Sequence, residues 1–131
     1  MASAKKILIV DDDESFVDSN RELLEAYGYE VHTAYDGESG LSKAKQVRPD
    51  LMILDVMMAH DTEGFEIARK IQKESELAQM KLLLVSGITR EMKLPFKLTP
   101  DSTWLPVNRV LEKPIDPARL IREIGKMLQG A

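Results

Sequence analysis

The chain has 131 residues, of which 44% are hydrophobic, and a formal net charge of −4. That length suits one domain with a single core, and the small net charge gives no overall bias toward nucleic acid or anionic membranes. The absence of cysteine excludes disulfides, thiolate metal sites and cysteine nucleophiles. No apolar run approaches the ~18 residues that span a bilayer, and the N-terminus lacks a signal-peptide core. We therefore expect a soluble, cytoplasmic protein with one domain over residues 1–131 and a core at about 5–128.

The first half of the chain alternates predicted strands and helices. Residues 7–10 form a short, continuous apolar run, which is typical of a strand covered on both faces. Residues 15–27 then follow the helical period. Residues 30–35 alternate apolar and polar side chains, as an edge strand does, and residues 41–47 predict a short helix. The apolar run at residues 51–54 predicts a second buried strand.

The second half continues the alternation with one exception. A helix is predicted from Gly64 onward, and residues 81–85 predict a third buried strand. Residues 87–108 resist a helical interpretation because three prolines interrupt them. Residues 110–111 predict a last short strand, and Pro117 stands at the first position of a clearly amphipathic final helix.

This order of elements predicts an α/β fold in which a doubly wound, mostly parallel sheet has helices on both faces. In such sheets the ligand crevice lies beyond the carboxyl ends of the strands, at the switch in strand order. The side chains that follow each strand are therefore the candidates for function.

Carboxylates follow two of the buried strands. Asp11 and Asp12 come directly after the first, and Asp55 follows the run at 51–54. Crowded carboxylates repel one another unless a cation neutralises them. Mg²⁺ suits such a site, since it takes one or two carboxylates together with waters and a phosphoryl oxygen. A helix start is the alternative for this acidic run, because aspartate favours N-caps, and it accounts best for Asp13.

Asp55 is a candidate nucleophile, since a carboxylate can form an aspartyl-phosphate. Capping of the next helix is a weaker alternative, because that helix is predicted to begin only at Gly64. Ser86 follows the third buried strand and could donate a hydrogen bond to one phosphoryl oxygen, while Lys113 could pair with another. Taken singly, Ser86 would be an ordinary loop hydroxyl and Lys113 a solvated surface lysine.

The ordered stretches ILIVDDDES, DLMILDVMM, LLLVSG and LEKP resemble the receiver domains of the response-regulator family of two-component signalling. The resemblance covers nearly the whole chain, from about residue 5 to residue 128. It implies a flavodoxin-like, five-stranded parallel sheet with strand order 2-1-3-4-5. It also implies that Asp55 is the phosphoacceptor and takes its phosphoryl group from a histidine kinase or a phosphotransfer protein.

The same resemblance implies roles for the other residues at the strand ends. Ser86 matches the switch hydroxyl, and Lys113 matches the lysine that precedes a proline in this family. The implied Mg²⁺ ligands are Asp11, Asp12, Asp55 and the main-chain carbonyl of Met57.

Two departures from the family pattern concern how the signal is read. Receivers usually carry an aromatic residue three positions before the lysine, where this chain has Val110. The region of the fourth helix is also atypical, with Phe96 and Trp104 in an irregular segment. In the family, a downstream protein binds the surface formed by the fourth helix, the last strand and the last helix. Local cover for the sheet edge is the plainer interpretation of the two aromatic rings, and partner binding is the alternative.

We therefore expect a stand-alone, phosphorylation-dependent switch that uses Mg²⁺, with no direct contact to nucleic acid and no membrane insertion. Self-phosphorylation and slow autodephosphorylation would be its only reactions, so it is not expected to be an enzyme with an external substrate. The alternative is a phosphorylation-independent interaction module, which Val110 and the irregular segment favour and the complete polar set disfavours. A nucleotide-binding enzyme is a poor fit, because no G-x-G-x-x-G or Walker lysine motif follows the first strand.

Overall fold

The computed structural model describes residues 5–55, 67, 69–71, 73–77, 80–86, 109–112 and 115–129. Within these ranges the side chains at positions 76, 86, 109, 110, 112 and 129 are left out of the description. None of the helices in these ranges combines the length and apolarity that a bilayer crossing requires.

The described strands form one five-stranded sheet in the order β2-β1-β3-β4-β5. They are β1 (Lys6–Val10), β2 (Glu30–Ala34), β3 (Leu51–Asp55), β4 (Lys81–Ser86) and β5 (Arg109–Glu112). Every neighbouring pair is parallel. The predicted fold class and strand order are thus confirmed, and the switch in strand order falls between β1 and β3.

The helices of the described ranges are α1 (Glu14–Ala26), α2 (Gly37–Val47) and the C-terminal helix (Pro117–Gln129). A short 3-10 helix spans Ser75–Leu77, and the described residues between positions 67 and 73 are helical as well. The helix α2 begins four residues earlier than the periodicity predicts. Its start is explained by the Asp36 side chain, which accepts a hydrogen bond from the backbone N–H of Ser39 at 2.8 Å and so caps the first turn.

Helices cover both faces of the sheet, and each face has its own apolar core. On one face, α2 and the described residues after it pack on alternate residues of the strands, and this core consists of Leu8, Val10, Ala34, Leu41, Ala44, Met52, Leu54, Ile67, Ile71, Leu77, Met80, Leu82 and Leu84. On the other face, α1 and the C-terminal helix pack on the strand residues that point the opposite way, and this core consists of Ile7, Ile9, Val17, Leu24, Val31, Leu51, Ile53, Leu83, Val85, Leu111, Leu120, Ile124 and Met127. The continuous apolar runs of β1 and β3 follow from this arrangement, because a strand covered on both faces has no solvated side.

Asp50 joins three strands at the amino edge of the sheet. Its side-chain Oδ2 accepts a hydrogen bond from the backbone N–H of Lys6 at 2.8 Å. Its own backbone N–H donates to the Lys6 carbonyl at 2.8 Å, and its carbonyl accepts from the N–H of Lys81 at 3.0 Å. These bonds fix the register of β1, β3 and β4 at their starts, and therefore also the relative positions of the residues at their ends.

The helix α2 packs very close to the end of β1. A Cβ atom placed on Gly40 would lie 2.7 and 2.8 Å from the two methyl carbons of Val10, which is closer than van der Waals contact allows. Glycine at this position therefore permits the approach of α2 to the residue that directly precedes Asp11.

Candidate functional site: three carboxylates at the carboxyl edge

Three carboxylates converge where β1 and β3 end. Val10 pairs with Leu54 in the parallel register, so the next residues along, Asp11 and Asp55, lie side by side. One oxygen from each of Asp11, Asp12 and Asp55 lies within 4.8 Å of the others. The topology thus brings together residues that are 44 positions apart in the sequence.

The cluster is buried on one side and open on the other. Asp11 is fully buried and Asp55 is only 3% exposed, whereas Asp12 is exposed to solvent. Burial strengthens the repulsion between like charges because the surrounding dielectric is low. Through Asp12 the cluster is in contact with solvent.

Backbone groups hold Asp11 in place. Its N–H donates to the carbonyl of Ala34 at the end of β2, at 3.2 Å. Its Oδ1 accepts a hydrogen bond from the N–H of Asp13 at 2.9 Å. The orientation of this buried carboxylate is therefore set by the first turn after β1 and by the neighbouring strand.

Asp13 has a different role from the two aspartates before it. Its Oδ1 accepts from the backbone N–H of Phe16 at 3.2 Å, and it is the N-cap of α1. The helix-start interpretation of Asp13 is thus confirmed. The hydrogen bond by which the Asp13 backbone N–H orients Asp11 was not predicted from the sequence. The Asp-x-Asp pattern is a signal for this contact, because aspartate side chains commonly accept from the N–H two residues on.

The arrangement fits a hard divalent cation. Among the described residues, the cluster offers three carboxylates as side-chain ligands, and carboxylate oxygen is the donor type that Mg²⁺ prefers. Buried charges are stable when they are paired or coordinate a metal. A cation at this position would touch Asp11, Asp12 and Asp55. Asp55, at the end of β3, is the buried member of this cluster that belongs to the central strand.

Of the other predicted site residues, the structure describes only the backbone of Ser86. Ser86 ends β4, opposite Glu112 of β5, so its backbone lies on the same edge of the sheet as Asp55. The Ser86 side chain falls outside the described residues, and so do Met57 and Lys113. The roles assigned to these three therefore stay predictions.

The features that set this chain apart from the family pattern also fall outside the described residues. These are the side chain of Val110, the irregular segment 87–108 and the two aromatic rings within it. The interpretation of that segment as an altered output surface likewise stays a prediction.

Comparison with known proteins points to one family. The family model described as response regulator receiver domain matches residues 7–125. The chain is 32% identical over 125 residues to the alkaline phosphatase synthesis transcriptional regulatory protein PhoP of Bacillus subtilis, and the match covers 95% of this chain and 49% of PhoP. It is 28% identical over 128 residues to protein PilH of Pseudomonas aeruginosa, covering 95% of this chain and 98% of PilH. The chain thus spans about half the length of PhoP and nearly all of PilH.

Solved structures give the same result. The CheY-like receiver domain protein of Methanospirillum hungatei superposes with a TM-score of 0.81 at 30% identity, covering 98% of this chain and 96% of that one. Chemotaxis protein CheY4 of Vibrio cholerae superposes with a TM-score of 0.79 at 28% identity, covering 96% of this chain and 100% of that one.

Proposed function

This chain belongs to the response regulator receiver domain family, and on that premise we propose that it is a signalling switch controlled by phosphorylation of Asp55. The observation that carries the proposal is the convergence of Asp11, Asp12 and Asp55 within 4.8 Å at the carboxyl edge of the sheet. A nucleophilic carboxylate beside two further carboxylates is suited to a reaction in which a divalent cation offsets the negative charge.

The reaction is a phosphoryl transfer to Asp55. A carboxylate oxygen of Asp55 attacks phosphorus, an acyl phosphate bond forms, and the bond from phosphorus to the donor's imidazole nitrogen breaks. The imidazole leaves as a neutral ring after taking up a proton. Mg²⁺, held by Asp11, Asp12, Asp55 and the Met57 carbonyl, would supply neutralisation of charge on the transferred group.

The remaining residues of the proposed machinery come from the ends of β4 and β5. In the proposal, Ser86 donates a hydrogen bond to one phosphoryl oxygen and the Lys113 ammonium pairs with another. Hydrolysis of the acyl phosphate by water would return Asp55 to its free carboxylate and end the signal. The protein would thus act as a timed switch and would not turn over an external substrate.

Receiver domains interact with histidine kinases or phosphotransfer proteins, and one of these is the proposed phosphodonor for this chain in the cytoplasm. The proposed output is binding of a downstream protein at the surface that includes β5, the C-terminal helix and the segment before β5. Neither nucleic-acid contact nor membrane insertion forms part of the proposal.

Intact-mass measurement after incubation with Mg²⁺ and acetyl phosphate tests this function. The wild-type protein should gain the mass of one phosphoryl group, and the Asp55→Asn variant should gain none. Asp36→Asn is the control for loss of one aspartate at this edge, because Asp36 follows β2 and caps α2 but lies outside the carboxylate cluster. It should be phosphorylated like the wild type.

A phosphorylation-independent interaction module predicts a different result. In that case the wild-type protein would gain no phosphate, or would gain as much as Asp55→Asn does. Either result would remove Asp55 from the proposed role.

A further inference from the structure

Asp13 is hydrogen-bonded both to the carboxylate cluster and to the start of α1. Its backbone N–H donates to Oδ1 of Asp11 at 2.9 Å, and its own Oδ1 accepts from the backbone N–H of Phe16 at 3.2 Å. Its carbonyl accepts from the N–H of Val17 at 3.0 Å. Asp13 therefore uses three polar groups to connect a buried member of the cluster to the first turn of the helix.

The first turn of α1 is itself held by the apolar core. Val17 is fully buried among the residues that pack under α1, and close-packed residues resist displacement. Asp13, in contrast, is exposed to solvent, so packing does little to fix its position. The hydrogen bond that caps Phe16 therefore does much of the work of placing the backbone N–H that contacts Asp11.

We propose that Asp13 is a positioning residue for the cation site. By capping α1, its carboxylate fixes the backbone N–H that orients the buried carboxylate of Asp11, although Asp13 is not a member of the cluster. Partners that hydrogen-bond to a metal ligand set the direction in which that ligand points, and their loss weakens metal binding. The inference rests on the proposed function, because it concerns the same cation site.

Coupling between the cap and the cation acts in both directions. If the cap strengthens cation binding, the bound cation stabilises the cap by the same factor. Asp36 offers a comparison in the same molecule, because it caps α2 through a bond from the N–H of Ser39 to its Oδ1 at 2.8 Å and lies outside the cluster. The cation should therefore stabilise the cap of α1 much more than the cap of α2.

Calorimetric titration of the whole chain with Mg²⁺ separates the capping bond of Asp13 from its charge. Asp13→Ala removes both and should weaken Mg²⁺ binding about tenfold, at the low end of the range for lost partners of metal ligands, because the backbone N–H remains. Asp13→Asn removes the charge but keeps a capping oxygen. In about 0.15 M salt it should bind within about twofold of the wild type, since the lost charge is exposed and screened. Asp36→Ala, the control for loss of a cap and a charge at the same edge, should bind Mg²⁺ like the wild type.

The titration has outcomes that contradict the proposal. Equal affinities of the wild type and Asp13→Ala would overturn it. Asp13→Asn as weak as Asp13→Ala would also overturn it, because the effect would then come from charge alone. A wild type that does not bind Mg²⁺ would overturn both this proposal and the cation dependence of the proposed function, so the wild-type titration tells the two failures apart.

Amide hydrogen exchange of the wild type, followed by NMR, tests the coupling without any substitution. Saturating Mg²⁺ should slow exchange of the Phe16 N–H about tenfold, the same factor as in the titration, because amides at a helix cap exchange through local opening. Exchange of the Ser39 N–H should slow much less. Equal slowing of the two amides, or no slowing of Phe16, would overturn the proposal.

Discussion

At the amino edge of the sheet a single aspartate, Asp50, exchanges hydrogen bonds with two neighbouring strands, whereas at the carboxyl edge three aspartates crowd together. The Asp50 side chain accepts a hydrogen bond from a backbone N–H of β1. Its own backbone N–H and carbonyl form hydrogen bonds with β1 and β4, which join these two strands to the start of β3. Asp11 and Asp55 are buried against each other with Asp12 nearby. The same residue type therefore joins strands at one edge of this sheet and gathers like charges at the other.

This difference indicates where the fold has been shaped by function. Repulsion among buried carboxylates lowers stability in the absence of a cation, and sites that act on a ligand commonly carry such a cost. The amino edge shows no comparable conflict among its described residues. Replacement of the aspartate at the amino edge should therefore lower the free energy of unfolding, and replacement of an aspartate in the carboxyl-edge cluster should raise it.

The largest effect should come from the cation. At ~100 times its dissociation constant, Mg²⁺ should raise the free energy of unfolding of the wild type by about 2.7 kcal/mol, because it binds the folded state alone. Urea denaturation with and without Mg²⁺ measures this. The gain should largely disappear in Asp12→Asn, which removes one ligand, and should persist in Asp36→Asn. Equal gains in all three proteins would show that the cation acts elsewhere.

Removal of a carboxylate should act oppositely at the two edges when no Mg²⁺ is present. Asp50→Ala leaves the backbone N–H of Lys6 without its acceptor and should lower the free energy of unfolding by about 1–2 kcal/mol. Asp50→Asn keeps an acceptor oxygen and should lose less. Asp12→Asn should instead raise stability by about 1 kcal/mol, since it relieves repulsion. Chemical denaturation measures the change in the free energy of unfolding for the three variants. A lower value for Asp12→Asn would contradict the proposed difference between the two edges of the sheet.

A smaller effect should distinguish two helical glycines. A Cβ on Gly40 would collide with Val10 beside the carboxylate cluster, whereas a Cβ on Gly125 would meet nothing within 4 Å. Gly125→Ala should therefore stabilise the protein by about 0.5–1 kcal/mol through helix propensity. In Gly40→Ala the collision with Val10 should outweigh the gain in helix propensity, so this variant should be less stable than the wild type by about 1 kcal/mol. Thermal unfolding compares the two, and equal stabilisation would show that α2 can move away from β1.

The sequence allowed more of the sheet to be predicted than of the site. Apolar runs such as 51–54 predict buried strands because a strand covered on both faces must be apolar throughout, and the alternation of strands and helices implies a parallel sheet. Parallel strands align their carboxyl ends, and for that reason the meeting of Asp11 and Asp55 could be foreseen from residues far apart in the chain. Burial on both sides of β1 and β3 was enough to place the cluster.

The features that could not be predicted depend on local geometry, which the spacing of apolar residues along the chain does not determine. The early start of α2 depends on one capping bond at Asp36, and the orientation of Asp11 depends on a backbone N–H two residues later. The close approach of Gly40 to Val10 is a fact of packing between two distant segments. Such contacts are single, short-range events, and the residue pattern permits them without requiring them.

The most direct test of the account is to locate the phosphoryl group. After incubation with acetyl phosphate and Mg²⁺, reduction with borohydride converts an aspartyl phosphate to homoserine, which peptide mass spectrometry can assign to one position. We predict homoserine at Asp55 alone, and none when Mg²⁺ is replaced by a chelator. Homoserine at Asp11, Asp12 or any other position, or labelling of Asp55 that does not change without the cation, would contradict the assignment of these three carboxylates to a cation-dependent phosphoacceptor site.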